Sequence, residues 1–550
     1  MFTKDIVKIP EKVKFNTKKS GIYVYQILNQ SYSKEKKYSI DSRVLIGKKI
    51  DDNTMHPNNN YFKFYQLENK KEELKNPRTF SDTLSVGDIM LLQSISDNIK
   101  LSECLEKVYD EDVKNMIINM ASYHIIENSS VYQHYPTFAF KHPVLGKRVY
   151  TDSHISQFLH DKINESLIHE FFKLWIEKQS IEGRVIVSYD STNINCEADG
   201  IEISEYGNAK DDKEKRIVNL SYVFDQKNGT PLFYELYSGS ITDIAECSKM
   251  LKLAKQYGLN HSIFIADRGY FSMKNINSIM KNFDGFIMMA KINNVFIRDT
   301  LKENKVNISK VPNYIEKYGV FGIRVKQKLF KQDFDCDARY FYLYFDELKY
   351  NADKSNLIIL ANKDYNEGKE LIGTTLSKED YEYHPYCKFI IDDETEKVTD
   401  VEFNQEEFDN NLSESGYFVI VSSLEKEPSK ILDDYRNRDS IEKCFRTLKT
   451  ELGFSKLGVQ SEQNLRSKVF IAFIASIIRN HILRSLKELR IKSKKDYTVN
   501  AALNSLSRIE ATKLGDKSHM VLYSLTKTQK DIIQACGVKL SDINKNYPGF

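Results

Sequence analysis

The chain has few of the devices that hold secreted or membrane proteins together. Its seven cysteines stand singly at Cys104, Cys196, Cys247, Cys336, Cys387, Cys444 and Cys536, and no two have zinc-ligand spacing. An odd number of scattered thiols excludes a paired disulfide framework, so they read as reduced and mostly structural. The opening residues, MFTKDIVKIPEKVKF, lack the apolar stretch of a secretory signal. The longest apolar run, VFIAFIASII from Val469 to Ile478, is too short to span a bilayer and reads as a buried core helix. These absences predict a soluble, cytoplasmic protein with no membrane partner. The sequence also lacks a Gly-rich phosphate loop, a dinucleotide fingerprint, a zinc finger, a clear helix-turn-helix signature and internal repeats.

What is present is a long globular chain. At 550 residues it exceeds one ordinary core, and two to four domains are expected. A hydrophobic content of 41% with 12% aromatics excludes disorder. The net charge is only +3, but it is unevenly placed. Residues 426–495 hold 17 Lys and Arg against 8 Asp and Glu, so this segment carries +9 and the rest of the chain −6. Such a concentration is the kind of footprint that phosphates seek, although a Lys-rich composition produces clusters too.

Patterning divides the chain into six stretches. Residues 20–80 alternate apolar and polar, as in GIYVYQILNQ, and predict a small β-rich unit over 1–80. Residues 81–180 read as helices, with Ser85 and Ser156 as caps. From 181 to 292 the order is β, a β–β hairpin turning at Asn228-Gly229, α, β, α, β. Antiparallel strands followed by a helical crossover into a parallel strand predict an α/β mixed sheet with helices. Residues 293–415 break the rhythm, with strands expected in FGIRVKQKLF, ARYFYLYF and NLIILAN, and predict a β-rich insertion. The core resumes over 416–495 with GYFVIVSS and two helices, and 496–550 read as a helical tail.

The second helical region opens with YRNRDSIEKCFRTLK, Tyr435 to Lys449. Taken as one helix at about 100° per residue, it places Tyr435, Arg438, Glu442 and Lys449 on a stripe about 60° wide. Ile441, Phe445, Leu448 and Leu452 form an adjoining packing face. Arg436, Lys443 and Arg446 lie off the stripe and read as solvated. Helix-surface ion pairs worth about 0.2–0.5 kcal/mol each explain such a stripe on its own. Two aspartates offer another explanation. Asp190 ends the first strand, in SYDST, and Asp267 ends a later one, in FIADRGY. Sites in open α/β sheets gather at strand carboxyl ends, so neighbouring strands would set these two side by side. Two aspartates and Glu442 are hard oxygen donors suited to Mg²⁺ or Mn²⁺. Two such ions, about 3.5–4 Å apart, serve phosphodiester displacement. Each aspartate also fits a strand-end turn.

The spacing Y-x-x-R-x-x-x-E-x-x-x-x-x-x-K from Tyr435 to Lys449 resembles the signature of a large group of bacterial insertion-sequence transposases with an Asp-Asp-Glu site. Asp190-Ser191-Thr192 resembles the group's first motif, and Asp267-Arg268-Gly269-Tyr270 its second. GYFVIVSS is similar to its strand before the signature helix, and EYGNAKDD matches the group's pattern imperfectly. The resemblance covers roughly residues 150–490. It implies a ribonuclease H-like fold interrupted by a β-rich insertion. It implies a metal-binding catalytic triad of Asp190, Asp267 and Glu442 with two Mg²⁺ or Mn²⁺ ions, and DNA phosphates gripped by Tyr435, Arg438 and Lys449. The implied reaction is cut-and-paste DNA transposition: cleavage at transposon ends releases a 3′-hydroxyl that attacks target DNA. The implied partners are double-stranded DNA with terminal inverted repeats, target DNA, and a second copy in the DNA complex, at the bacterial nucleoid. An inactive DNA-binding remnant or repressor, and a structure-selective nuclease, are alternative readings of the same residues. Some relatives hold a flipped base with a tryptophan of the insertion. The single Trp here, Trp175, lies outside it, leaving Tyr340 or Phe341 as stand-ins or as strand-core residues. The β-rich 1–80 and the helical 81–180 are the candidates for reading the DNA ends.

Overall fold

The computed structural model describes residues 2–541 apart from 19, 34–37, 66–79, 147–149, 180–184, 197, 260, 293, 329–338, 455–456, 494–496 and 514–518. Cys336 and the expected boundaries at 180–181 and 495–496 lie outside the described residues. The chain folds as two units, Met1–Arg78 and Thr79–Phe550.

The period-two alternation near the N-terminus produces a five-stranded antiparallel sheet. Its order is Val7–Lys8, Thr54–Pro57, Tyr38–Lys49, Gly21–Ser33, Val13–Lys18. Alternate residues place Val24, Ile46 and Met55 in its small core.

The second unit is organised by a nine-stranded sheet. Its strands are β1 (Val185–Asn195), β2 (Ile217–Asp225), β3 (Thr230–Ser238), β4 (Ser262–Ala266), β5 (Gly285–Met289), β6 (Tyr314–Ile315), β7 (Val320–Gln327), β8 (Arg339–Asp346) and β9 (Tyr417–Ser422). Their order across the sheet is β6-β7-β8-β9-β5-β4-β1-β2-β3. β1, β2 and β3 form an antiparallel meander. The Asn228-Gly229 turn joins β2 to β3 as expected. Asp225 accepts the N–H groups of Lys227 and Asn228, and Gly229 takes a φ of +63° that a side chain would strain. Helices α1 (Asp243–Gln256) and α2 (Met273–Asn282) then carry the chain into β4 and β5, which run parallel to β1. This is the mixed sheet with helices that the sequence predicts.

The region 293–415 differs from expectation in two ways. β7 and β8 are not confined to an inserted module, because β8 pairs with β9 and extends the central sheet. NLIILAN is not a strand. It lies inside helix α3 (Glu347–Lys369), whose start is capped by Asp346 accepting from the Lys349 N–H. A short apolar run does not distinguish strand from helix, and here the polar, helix-forming flanks decide. Two short helices, Lys378–Tyr383 and Gln405–Glu414, and a two-stranded hairpin, Cys387–Ile391 with Val398–Phe403, complete the lobe, which is less β-rich than expected.

Other local expectations also change. Thr151, not Ser156, caps helix Asp152–Lys162. Ser85 does not cap the next helix; its hydroxyl donates to the Ser507 carbonyl. The tail is not wholly helical, since Glu510–Lys513 pairs with both His519–Val521 and Thr83–Ser85.

Alternation along the central strands sorts side chains onto two faces. Ile263, Ile265, Ile287, Tyr342 and Ile420 lie under helix α4 (Pro428–Arg436), which contributes Ile431, Leu432 and Tyr435. Phe264, Phe286, Met288, Phe341 and Val421 enter a larger core on the other face. That core holds helix α5 (Asp439–Thr450), helix α6 (Glu462–Ser493) and the helices of 87–178. Val469–Ile478 sits within α6 and is buried, as its apolar run predicts. Although α6 is apolar and long enough to cross a bilayer, 78% of its most apolar window is buried in this core. Trp175 is buried here too, donating from its indole N–H to the Pro231 carbonyl. Among the described cysteines all six are free and buried.

Candidate active site

Strand pairing places the two aspartates. β1 and β4 are parallel neighbours with Ala266 opposite Tyr189, so Asp267 and Asp190 follow side by side. Asp267 leaves the strand and caps a 3₁₀ turn, Arg268–Tyr270, accepting from the Arg268 N–H at 2.7 Å. Asp190 does not end its strand. β1 runs on to Asn195, because β2 is long enough to pair with every residue from Val187 to Asn195. Asp190 thus borders the gap left where β4 stops.

The stretch Tyr435–Lys449 is not a single helix. α4 ends at Arg436 and α5 begins at Asp439. Between them the bonds tighten to i→i+3: Arg438 N–H to Tyr435, Ser440 N–H to Asn437 and Ile441 N–H to Arg438. The Ser440 hydroxyl also occupies the Asn437 carbonyl, a local bond that competes with a regular helix. The break has a tertiary reason. Tyr435 packs on one face of the sheet, whereas Ile441, Cys444, Phe445 and Leu448 pack on the other. The chain therefore crosses from face to face at 437–438, beside Asp190 and Asp267. Across the break, Tyr435, Arg438 and Glu442 still reach one cluster.

Arg438 is the hub of the resulting site. Its guanidinium donates from Nη1 to Asp190 Oδ2 at 3.2 Å and from Nη2 to Glu442 Oε1. Tyr435 donates its hydroxyl to Asp267 Oδ1 at 3.0 Å. Burial pushes the Asp190 carboxyl up to about 6, against the pull of Arg438, the Ser191 N–H and Lys210. Burial, then the charge of Asp267, holds the Tyr435 phenol well above its ordinary value, so it stays a donor. The signature stretch and the two strands thus meet in one cluster of three carboxylates, one arginine and one phenol.

This donor set suits a hard divalent cation in chemistry: all three acids offer only oxygen, and one of them is mostly buried. The three do not converge as tightly as bound ligands. Among the described residues, one group of three ligating side chains has all its ligand atoms within 4.8 Å, and it lies elsewhere, at Asp364, His384 and Cys387. Arg438 stands between Asp190 and Glu442 as their counter-charge.

Lys449 is placed differently from its neighbours on the stripe. Its ammonium bonds Asp211 Oδ2 at 2.7 Å, in the segment EYGNAKDD. Several residues of the site were not singled out by sequence. Lys210 bonds the Ser191 carbonyl at 2.7 Å and lies close enough to bias Asp190. Arg436 is not a solvated bystander: its guanidinium lies 4.3 Å from the centre of the Tyr318 ring. It helps line a cavity of about 730 Å³ beside Tyr435, with Arg268, Lys291 and Lys349 around an apolar floor of Met289, Ala290, Phe418 and Leu432. A helical wheel could not find these residues, which come from five separate segments. Phe341 is fully buried in the sheet core, whereas Tyr340 donates to Glu425 with Arg324 and Lys326 near its ring.

A family model described as the transposase DDE domain matches residues 181–478, a span that takes in the nine strands and the cluster of Asp190, Asp267, Tyr435, Arg438 and Glu442. The chain belongs to the transposase DDE-domain family. It is accordingly a DNA transposase, an enzyme of DNA transposition, in a family that generally uses divalent metal ions. No curated protein matches the sequence. Among solved structures, this transposase is similar to a chain of the cryo-EM structure of the piggyBac transposase synaptic complex with hairpin DNA. Identity is 10%, coverage 87% of this chain and 80% of that one, and the TM-score 0.32.

Proposed function

We propose that this transposase works by cut-and-paste, as a member of the insertion-sequence group with the Tyr-Arg-Glu-Lys signature. Asp190, Asp267 and Glu442 are its catalytic triad. The observation that carries the proposal is the convergence at Arg438 and Tyr435: signature residues reach across 248 and 168 positions of sequence to the two strand-bordering aspartates. A surface ion-pair helix has no reason to make either contact. Two Mg²⁺ or Mn²⁺ ions held by the triad would activate the attacking oxygen and stabilise the leaving one. The chain's own residues do the rest. Tyr435 orients Asp267 through its hydroxyl. Arg438 is a two-armed donor already aimed into the site, and its planar fork matches a phosphate bidentately. The rim holds Arg268, Lys291, Lys349 and Arg436 against one acid, Asp346, with Lys349 paired to Asp353, and its excess of positive charge suits the backbone leading to the scissile bond. The substrates are double-stranded transposon ends with inverted repeats and a target duplex, bound by a dimer at the bacterial nucleoid.

The test is a reaction with the DNA that flanks the coding region, in Mg²⁺, alongside a target plasmid. Cleavage at the ends leaving 3′-hydroxyls, followed by joining to the plasmid, is expected. Cut ends that never join identify a structure-selective nuclease instead. Tight binding without cutting identifies a remnant or repressor.

Lys449 supplies a second test. Its partner Asp211 is half-exposed, so the pair contributes no more than about 1 kcal/mol. Phosphate must displace Asp211 for Lys449 to grip DNA. Asp211→Asn is therefore expected to bind DNA about 2–5-fold more tightly, with a steeper salt dependence, in anisotropy titrations between low and moderate salt. Weaker binding by Asp211→Asn would show that Asp211 positions Lys449 rather than competing with DNA for it.

A further inference from the structure

The lobe between β8 and β9 is poorly supplied with core. Among the described residues its hairpin, Cys387–Ile391 with Val398–Phe403, has no third strand. Its buried cluster consists of Cys387, Val398 and Val401, with Tyr365, Leu376 and Phe389 packed around them. A two-stranded ribbon is marginal in water by itself, and here it leans on α3 through this small cluster, so a cross-link to that helix would add much to its stability. A disulfide does not supply it, because Cys387 is a free thiol.

At this point three elements bring metal-ligating side chains together. Asp364 comes from α3, His384 from the end of helix Lys378–Tyr383, and Cys387 from the first residue of the hairpin. Their ligand atoms all lie within 4.8 Å of one another. Asp364 Oδ1 is 2.8 Å from His384 Nδ1, and its Oδ2 accepts the Tyr386 N–H at 2.9 Å. The Cys387 thiol lies 3.6 Å from the Asp364 carbonyl, pressed against the helix where Gly368 leaves no room for a side chain. All three residues are largely buried, and among the described residues the one ion-pair partner of Asp364 is His384.

We propose that Asp364, His384 and Cys387 bind one Zn²⁺ ion, with solvent as the fourth ligand, and that this ion fastens the hairpin to α3. A thiolate and an imidazole are borderline-soft donors that favour zinc over the hard ions suited to the carboxylates of the catalytic site. Binding replaces the thiol proton, which is released to solvent. The ion takes no part in DNA cutting; it sets the stability of the lobe.

The experiment uses the full chain, purified with zinc supplied and dialysed against excess Mg²⁺. One zinc per chain is expected by elemental analysis, and replacement by Co²⁺ should give a near-ultraviolet thiolate-to-cobalt band. His384→Asn keeps a side-chain donor for Asp364 but loses the imidazole, and Cys387→Ala loses the sulfur. Each should weaken zinc binding beyond the about 10–100-fold that loss of an orienting partner costs. A zinc-selective chelator should speed proteolysis of the lobe in the wild type and leave His384→Asn unaffected. Should the Cys387 variant fail to fold, His384→Asn and the chelator arm still decide. A wild-type chain that holds no zinc and gives no cobalt band overturns the proposal, as does full zinc content in His384→Asn.

Discussion

Asp190→Asn is expected to stop DNA cleavage, by at least about 10³-fold, and at the same time to make the folded protein more stable at neutral pH. The two effects share one cause. Asp190 is mostly buried, and that burial raises its carboxyl from an ordinary 3.8 to about 6 even with Arg438 alongside. The native state therefore holds the proton more tightly than the unfolded chain, whose aspartates titrate near 4. Stability associated with this group is fully present below about pH 4 and is lost as pH rises through about 6. At pH 7 the chain carries the whole cost of an ionised, desolvated carboxylate. Asparagine has nearly the same shape, still accepts from Arg438, and carries no charge. A gain of about 1–2 kcal/mol at pH 7 follows, less than the full shift because the ion pair with Arg438 weakens. Thermal unfolding followed from pH 4 to 8 should show a higher Tm for the variant and a flatter profile between pH 4 and 6. Cleavage of end-containing DNA in Mg²⁺ gives the other half. A variant that cuts normally would remove Asp190 from the chemistry, whatever its Tm. Such a stability cost fits the proposed metal-binding role: a buried acid that is expensive alone becomes favourable when a divalent cation arrives.

Much of this was legible in the sequence. The hairpin at Asn228-Gly229, the buried strands of 185–289 and the apolar run of 469–478 are local signals, and local physics delivers them. The spacing of Tyr435, Arg438, Glu442 and Lys449 was sufficient to bring the first three into one cluster with Asp190 and Asp267. What was hidden depends on where segments meet. The break at 437–438 is invisible to a helical wheel, because its cause is a chain that must pack Tyr435 on one sheet face and Phe445 on the other. Lys449 found Asp211 because the loop after β1 returns beneath α5. NLIILAN carried a strand's composition into a helix whose cap, Asp346, lies ten residues before it. Asp364 stands 20 residues ahead of His384, a separation with no zinc-finger pattern, and the chain's return after α3 through helix Lys378–Tyr383 makes them neighbours.

Glu442→Ala should separate the two explanations that Tyr435–Lys449 first allowed. Glu442 is half-exposed and bonds one partner, Arg438, four residues before it on the same surface. As an ion pair of that kind it contributes about 0.3–0.5 kcal/mol, and its removal should barely move the Tm. As the third acid of the triad it should cost at least about 10³-fold in cleavage, equivalent to about 4 kcal/mol of transition-state stabilisation. The disproportion between these numbers is the useful quantity, because misfolding cannot imitate it. DNA binding supplies a further check. Removing Glu442 frees one arm of the Arg438 guanidinium, so affinity for duplex ends in the absence of divalent metal should hold or rise. Binding that falls in step with cleavage would instead mean that Glu442 orders Arg438 for phosphate contact, and the third carboxylate of the site would have to be sought elsewhere. Unchanged binding, unchanged Tm and lost cleavage together leave metal-dependent chemistry as the reason for a glutamate at this position.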